Sequence, residues 1–401
     1  MRRETGGLCS AALTPSGSHS SSSNLKPPAS NLVDWHNPEA LHQPLPPDSD
    51  RSPSPIYDGN DVVLTYRGAA GAVHLVTWMP MFPTPPPFTQ VGPDTWELRL
   101  HLPRTARIEY RLAIETRGRT IQIDDPANPP AATNPFGSNS VLVGKGYQLP
   151  WYATASQETP RGRLHEVRVT SAALGRRHHY HVYLPDGFKA QSGHTLLLVH
   201  DGSDFLRFGA LGACLDRLIE SGVMASTAVV LLDPWDRIVE YAANPAHSRH
   251  LVGEVLPHVV RRLRLRPTSI GALGSSLGAV AALAAAWHHP TAIAGLALLS
   301  GSFAYKLSAD RDPDVFAPIA DYLAAFAADP RLEHTAVYQS VGRYERLCDL
   351  NRRMAPIIGS AAARHLYRET WDGHHWGSWR DRLGEALAFL FPGPAGSGRF
   401  S

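Results

Sequence analysis

The chain lacks most of the features that would place a protein outside the cell or in a membrane. Its 401 residues include only three cysteines, Cys9, Cys214 and Cys348, whose odd number and wide spacing fit a reducing compartment better than a disulfide framework. No apolar run reaches the roughly 18 residues of a membrane span, and none follows the N-terminal Met-Arg-Arg as a signal peptide would require. The expected location is therefore the cytoplasm, without a membrane as partner.

Charge is also scarce. Charged residues make up 18% of the chain, and the formal net charge is only +2. This balance gives no reason to expect nucleic acid or an anionic membrane surface as a partner. A hydrophobic content of 43% over this length indicates instead a globular protein with an ample core.

Changes in composition divide the chain into segments. Residues 1–58 are rich in Ser and Pro, which predicts a disordered or loosely packed extension. Residues 59–150 carry short alternating segments separated by Gly, Pro and Asp, as in a small immunoglobulin-like β-sandwich domain. Residues 163–392 form the largest expected domain, and 393–401 are expected to be a flexible tail.

The large domain is expected to be of the α/β class. After an antiparallel hairpin around Gly175, unbroken apolar strands alternate with helical stretches, as in a mostly parallel sheet covered by helices on both faces. The apolar strands are expected at 196–199, 228–232, 270–273, 292–299, 336–341 and 365–370. Helices are expected between them, for example at 211–219, 255–263, 317–326 and 350–358.

The most informative segment is 274–278, Gly-Ser-Ser-Leu-Gly. A short apolar stretch precedes it, and residues 279–287 after it are a strong helix former that is apolar all round. Strand, G-x-S-x-G and buried helix together are the context of a nucleophile elbow, the turn that carries the serine of an α/β-hydrolase. A chance match to so short a motif is the alternative, and the flanking segments argue against it. Ser276 is therefore the expected nucleophile.

A serine hydroxyl becomes a useful nucleophile only when a base takes its proton and a carboxylate orients that base. In an α/β-hydrolase these residues follow the serine in the order acid, then histidine, each just after a strand. His374, after the last expected strand, is the expected base, with His375 as the alternative. Glu345 is the expected acid, and Asp349 is its competitor. A loop histidine packed on tryptophan, and a solvated carboxylate, remain the structural alternatives.

The negative oxygen of the reaction intermediate needs two backbone N–H donors. One is expected from Leu277, directly after the nucleophile, and the other from the loop after an early strand, here residues 200–205. Either Gly202 or Ser203 is the expected second donor in that loop. No metal and no cofactor are expected, because the 20 histidines include no H-E-x-x-H motif and no set with Cys or carboxylates at ligand spacing.

Seven segments in a specific order extend this pattern over most of the chain. They are 182–185, 200–206, 233–241, 275–278, 300–303, 342–345 and 373–379. Together they resemble the enterochelin (enterobactin) esterase family, part of the putative-esterase branch of the α/β-hydrolases. The resemblance covers about residues 60–392. It implies an α/β-hydrolase domain preceded by an immunoglobulin-like domain beside the catalytic mouth.

The resemblance also implies functional residues. It assigns Ser276, Glu345 and His374 as the triad, in agreement with the order of the motifs. It places Arg237 and Glu240 near the substrate, where a structural ion pair is the alternative. Four further residues are expected near the pocket: Asp204, Phe205, Ser302 and Trp376.

The sequence thus predicts a serine esterase that acts through an acyl-enzyme on a small-molecule ester. A ferric catecholate siderophore is the first substrate hypothesis, and a general carboxylesterase of acyl, aryl or acylated-sugar esters is the second, because a fold does not determine a substrate. A glycan-binding protein with an idle hydrolase scaffold and an acyltransferase are alternatives of other classes. The sequence does not indicate an oligomeric state.

Overall fold

The computed structural model describes residues 54–77, 84–154, 160–304 and 313–396. Most of the predicted extension 1–58 and half of the predicted tail 393–401 therefore lie outside the described residues. The last residues of that extension are ordered, since Ile56–Asp58 pairs as a strand with the following segment. No described helix is both long and apolar enough to cross a membrane.

Two antiparallel sheets form the first part of the described chain. Alternate residues of both sheets, such as Leu64, Tyr110 and Leu142, pack into one apolar core because strand side chains alternate between faces. One sheet has the order β1-β2-β5-β4, and the other β3-β6-β9-β8, with β7 pairing with the second half of β6. The strands are β1 Ile56–Asp58, β2 Asp61–Arg67, β3 Ala72–Val76, β4 Thr89–Gly92, β5 Thr95–His101, β6 Arg107–Thr116, β7 Arg119–Ile123, β8 Ala132–Asn134 and β9 Gly137–Val143.

An eight-stranded sheet with the order β10-β11-β13-β12-β14-β15-β16-β17 forms the rest. β10 and β11 are an antiparallel hairpin, β11 pairs antiparallel with β13, and all later pairs are parallel. The carboxyl ends of the parallel strands therefore meet at one edge. The strands are β10 Arg163–Ser171, β11 Arg176–Leu184, β12 His194–His200, β13 Thr227–Leu232, β14 Pro267–Ser275, β15 Gly295–Leu299, β16 Ala336–Gly342 and β17 Arg364–Thr370.

Helices cover both faces of this sheet, which explains why its central strands are apolar at every position. In β12, Leu196 and Leu198 contact one apolar cluster, whereas Leu197 and Val199 contact the other. The helix α6 has no polar face because it is buried all round. The helices are α1 Gly202–Arg207, α2 Leu211–Glu220, α3 Arg237–Tyr241, α4 Pro245–Arg249, α5 Leu256–Arg262, α6 Leu277–His288, α7 Pro313–Ala328, α8 Cys348–Ala361 and α9 Trp376–Leu390.

The helix expected at 255–263 is present as α5, Leu256–Arg262. A π-helical segment that was not expected, His250–Val255, precedes it and makes a tertiary contact. Within it the Glu254 carboxylate accepts hydrogen bonds from the Ser171 hydroxyl and from the N–H groups of Ala172 and Ala173, at the turn after β10. This contact between distant segments is not visible in the local apolar pattern.

Buried histidines form two contacting pairs in this domain. His200 Nε2 lies 3.2 Å from His247 Nε2, and the rings of His178 and His250 are 5.0 Å apart. Burial, together with the charge of neighbouring histidines, lowers the pKa of His178 to about 4 and that of His200 to about 3. Both rings are therefore neutral in the folded protein at neutral pH, whereas the unfolded chain binds protons at these positions below about pH 6.5.

This difference predicts acid lability. A folded pKa below the unfolded one means that stability is present above about pH 6.5 and is lost as the pH falls towards 4. For His178 the loss is on the order of 3 kcal/mol. His178→Leu should therefore flatten the pH dependence of the free energy of unfolding, measured by urea denaturation between pH 4 and 7. The exposed His334 provides the control, because His334→Gln should keep the wild-type slope. Parallel curves for the wild type and His178→Leu would contradict the assignment.

Candidate active site

The turn between β14 and α6 brings two backbone segments into very close contact. Ser276 lies at its apex with φ 56° and ψ −119°, a conformation that non-glycine residues rarely adopt. A Cβ atom on Gly274 would lie 2.1 Å from the carbonyl oxygen of Gly278, so no side chain fits at position 274. The turn is held by the Ser276 N–H, which donates to the Leu299 carbonyl at 2.9 Å. The expected elbow geometry is thus present, with the serine directly before a buried helix.

His374 and Glu345 meet at the carboxyl edge of the sheet. Nδ1 of His374 lies 2.7 Å from Oε2 of Glu345, and both side chains are buried. The other carboxylate oxygen accepts hydrogen bonds from the Ser300 hydroxyl at 2.6 Å and from the Gly342 N–H at 2.8 Å. Trp379 packs edge-on against the His374 ring at 5.0 Å and donates its indole N–H to the same Ser300 hydroxyl. The carboxylate and the imidazole are therefore both held in one orientation.

The two competitors for these positions have other surroundings. Asp349 lies in the first turn of α8 with 78% of its side chain exposed, and it pairs with Arg352 at 3.0 Å. His375 is buried and caps α9, since its Nδ1 accepts the N–H of Ser378 at 3.0 Å. Neither contact leads to the serine, so the geometry favours Glu345 and His374 for the roles of acid and base.

A cavity of about 270 Å³ opens beside the serine. Ser276 and His374 both line it, together with Trp376 and Trp379. The Ser276 hydroxyl lies 3.1 Å from that of Ser302, which was expected near the pocket. Ser276 and His374 therefore face one space that is large enough for a small ester.

The expected oxyanion donors are placed as follows. Leu277 is the first residue of α6, and Gly202 is the first residue of α1. Gly202 is packed so closely on β13 that a Cβ would lie 2.4 Å from the Leu231 Cα. The N–H of Ser203 donates instead to Asp233 at 3.0 Å, and its hydroxyl donates to the same carboxylate. Of the two expected donors in this loop, the Ser203 N–H is therefore already engaged by Asp233.

The remaining expected pocket residues separate into two groups. Asp204, Arg237 and Trp376 line the cavity, whereas Phe205 lies behind it with its ring against Trp376 at 5.1 Å. Glu240 does not line the cavity. It bonds to Arg176 and accepts the N–H of Trp235 at 3.0 Å.

Arg237 and Glu240 also do not pair with each other, as the structural alternative would require. The guanidinium of Arg237 instead forms a two-pronged bond with the buried carboxylate of Asp201, at distances of 2.8 to 3.1 Å. Arg237 thus joins α3 to the loop that carries Gly202, directly at the cavity wall.

Part of the cavity wall comes from the antiparallel sheets; the resemblance placed this domain beside the catalytic mouth, but none of its lining residues was named from the sequence. The residues that these sheets contribute are Thr77, Glu109, Asn134, Pro135, Phe136 and Asn139. Phe136 is 69% exposed at the cavity although it is large and apolar. Arg107 and Glu109 alternate with apolar residues at the start of β6, as residues on a solvent-facing side would, yet both are buried.

The described cavity wall is rich in carboxylates. Burial raises the pKa of Asp204 to about 6, and the neighbouring carboxylates of Asp201 and Asp233 add to this shift. Burial also raises the pKa of Asp201, against the opposing charge of Arg237. Among the described lining residues, Arg237 is the only lysine or arginine, opposed by Glu109, Asp201 and Asp204. Within the described ranges, no group of three His, Cys, Asp or Glu side chains is arranged to hold a metal ion.

A comparison of sequences places this chain in a family. The sequence profile of the family described as "Putative esterase" matches residues 171–390, which is more than half of the chain. No curated protein matches the sequence.

Solved structures share the fold. The ferric enterobactin esterase of Salmonella typhimurium has a TM-score of 0.69 and 18% identity, over 82% of this chain and 93% of that chain. The enterobactin esterase of Shigella flexneri, in the presence of enterobactin, has a TM-score of 0.67 and 18% identity, over 82% and 92%. A ferulic acid esterase has a TM-score of 0.51 and 18% identity, over 58% of this chain and 99% of its own. At such identities the likeness shows a common α/β fold.

The steric constraint at the elbow predicts the effect of one added methyl group. Gly274→Ala should destabilise the protein by about 3 kcal/mol or more, because the new Cβ would have to displace the backbone of α6. The control is Gly253→Ala in the π-helical segment, where no atom lies within 4 Å of the added Cβ. Urea denaturation of both variants measures the difference. Equal free energies of unfolding for the two variants would show that position 274 has room for a Cβ atom.

Proposed function

The chain belongs to the putative-esterase family and is a carboxylic-ester hydrolase, and from this premise we propose that Ser276, His374 and Glu345 are its catalytic triad. The observation that carries the proposal is the buried His374–Glu345 contact of 2.7 Å at the wall of the cavity that Ser276 also lines. A histidine oriented by a buried carboxylate beside a serine at a strained elbow is the arrangement that activates a hydroxyl.

The proposed reaction has two halves. His374 takes the proton of the Ser276 hydroxyl as this oxygen attacks the ester carbonyl, and it returns the proton to the departing alcohol. Water then attacks the acyl-enzyme, with His374 again as base, and the acid product leaves. Glu345 stabilises the imidazolium in both halves. The N–H groups of Leu277 and Gly202 stabilise the negative oxygen, aided by the N-terminus of α6.

The charge of the cavity supports a neutral ester as the substrate. A ferric complex with three catecholates carries three negative charges, and it would meet the carboxylate of Asp204 in the cavity wall, where Glu109 and Asp201 are already paired with Arg107 and Arg237. Repulsion between like charges in a partly dry cavity amounts to about 1–3 kcal/mol for each pair at 6 Å. A general carboxylesterase is therefore the first proposal.

A catecholate siderophore ester remains the second candidate. It is supported by the structural neighbours named as enterobactin esterases, whose chains are matched over 92% and 93% of their length. That match includes the antiparallel sheets as well as the large sheet, since it covers 82% of this chain.

We also propose the division into an immunoglobulin-like domain at 59–150 and an α/β-hydrolase domain at 163–392. Two antiparallel sheets around one apolar core support the first part. The second is supported by the mostly parallel eight-stranded sheet. Contacts at the cavity wall make the first domain part of the substrate site in this proposal.

The triad predicts a graded set of activities. Ser276→Ala should abolish turnover of an aryl acetate and labelling by a fluorophosphonate, because the attacking oxygen is gone. Glu345→Gln should lower kcat by about 10³- to 10⁴-fold, because the amide no longer stabilises the imidazolium. Asp349→Asn is the matched control, and it should keep wild-type activity because that side chain is exposed on α8. Wild-type turnover by Ser276→Ala would remove the proposed mechanism.

The charge of the cavity predicts the preferred substrate. At pH 7.5 and low salt, kcat/KM for a neutral aryl acetate should exceed that for a ferric catecholate trilactone by at least about 10-fold. Asp204→Asn should narrow this difference, because it removes one negative charge from the wall. Faster turnover of the ferric complex by the wild type would favour the siderophore as substrate and leave the triad proposal intact.

A further inference from the structure

A buried ionic network joins β6 to the loop that carries both histidines. Nη1 of Arg107 lies 2.8 Å from Oε1 of Glu109 and 3.1 Å from Nδ1 of His375. The other oxygen of Glu109 accepts the side-chain N–H of Asn139 at 3.2 Å. The side chains of the ion pair are only 5% and 3% exposed. The network lies at the cavity wall, since Glu109, Asn139 and His375 all line it.

The donors around His375 determine where its proton is. An arginine can only donate, and so can a backbone N–H, and Nδ1 of His375 receives both Arg107 at 3.1 Å and the Ser378 N–H at 3.0 Å. Nδ1 must therefore be unprotonated. The single proton of the ring is therefore on Nε2. This proton excludes the hydrogen bond from the Gly373 N–H to Nε2, which at 3.4 Å is the longest of the three contacts to the ring nitrogens. Glu109 lies 3.3 Å from Nδ1, but its charge is already paired with Arg107.

The same arginine also holds the loop backbone. The backbone N–H of Arg107 donates to the Trp371 carbonyl at 2.8 Å. The backbones of Arg107 and Asp372 form an isolated parallel β-bridge. Its guanidinium packs on Gly377, where an added Cβ would lie 2.3 Å from the guanidinium carbon. Arg107 thus contacts the chain both before and after the two histidines.

Residues beside both predicted partners of the serine pack on the core of the antiparallel sheets. Trp371 precedes His374, Tyr344 precedes Glu345, and both pack against that core with their rings 5.7 Å apart. The acid and the base are therefore both positioned by the same neighbouring structure.

We propose that Arg107, paired with Glu109, is a positioning residue that keeps the Nδ1 lone pair of His375 occupied as the cap of α9, and so leaves His374 as the base for Ser276. The inference rests on the proposed triad. If His375 gained a second proton, it would lose the contacts from Arg107 and Ser378 and would place a positive charge beside the imidazolium of His374.

The charges that face His375 are consistent with a neutral ring. Burial lowers the pKa of His375, and the positive charge of Arg107 lowers it further, against the carboxylates of Glu109, Asp372 and Glu345. With two donors on Nδ1 and its own proton on Nε2, the buried ring has no site left for a second proton.

The experiment compares two changes at the contact between the antiparallel sheets and α9. The test variant, Arg107→Met with Glu109→Gln, removes the ion pair without leaving a buried charge. The control, Tyr147→Phe, removes the 2.7 Å bond from the Tyr147 hydroxyl to Asp381 of α9, a bond in which neither His374 nor His375 takes part. The three proteins, wild type included, are compared by kcat, KM, fluorophosphonate labelling rate and melting temperature. The ¹⁵N shifts of the histidine rings report the tautomer of His375.

The test variant should lose kcat and labelling rate by about 10- to 100-fold, with KM for an aryl acetate changed less than about 3-fold, because only the base is misplaced. Tyr147→Phe should lower the melting temperature and keep wild-type kcat. The wild-type spectrum should show His375 protonated at Nε2 alone.

Three results would overturn the inference. These are a folded test variant with kcat within about 2-fold of wild type, an equal loss of kcat in Tyr147→Phe, or a wild-type His375 protonated at Nδ1. The tautomer decides the matter even if the test variant fails to fold, and it needs no catalysis. Failure of the triad itself would be seen separately, as activity of Ser276→Ala.

Discussion

The close contact between β14 and α6 is the constraint on which the rest of the site depends. Because a Cβ at Gly274 would overlap the Gly278 carbonyl, the chain can turn there only with Ser276 in its unusual backbone conformation. Such strain costs on the order of 1–3 kcal/mol and persists only where the surroundings enforce it. Here the enforcing contacts are the Leu299 carbonyl on the next strand and the wholly buried α6.

The parallel sheet turns this local constraint into a site. β15, β16 and β17 follow β14 in spatial order, and the segment after each of these strands carries one residue of a hydrogen-bonded set. Ser300 follows β15, Glu345 follows β16, and His374 follows β17, and these three side chains are joined through the Glu345 carboxylate. Parallel strands with short connections at one edge bring residues together that are up to 74 positions apart, from Ser300 to His374.

The sequence predicted those features that depend on local pattern and chain order. The apolar strands at 196–199 and 228–232 lie within β12 and β13, and the elbow and its helix are where the motif indicated. Short helices such as α1 and α3 were not predicted, because five or six residues carry too little periodicity. The strand expected at 292–299 begins only at Gly295, an error of the size usual for element boundaries.

The parts of the site that the sequence did not predict are those made between distant segments. Nothing in the sequence near Asp201 indicated that Arg237, rather than a cationic residue closer along the chain, would bind its carboxylate. Likewise, nothing in the sequence near Glu109 indicated that this residue would line a cavity together with Ser276. The residues of the wall formed by the antiparallel sheets are brought together by packing, for which a local sequence pattern carries little signal.

The buried pair of Arg107 and Glu109 belongs to the same class, because in the alternating sequence of β6 both residues look solvent-facing although they are buried. Such a pair is a poor explanation for stability, since the cost of removing two charges from water can exceed their attraction, and apolar replacements are often as stable. An arginine at this position is better explained by what it donates to, namely the ring of His375. A methionine could fill the same volume but could not dictate the tautomer of a neighbouring imidazole. The ion pair is therefore better explained by its effect on the histidine loop than by a contribution to the stability of the core.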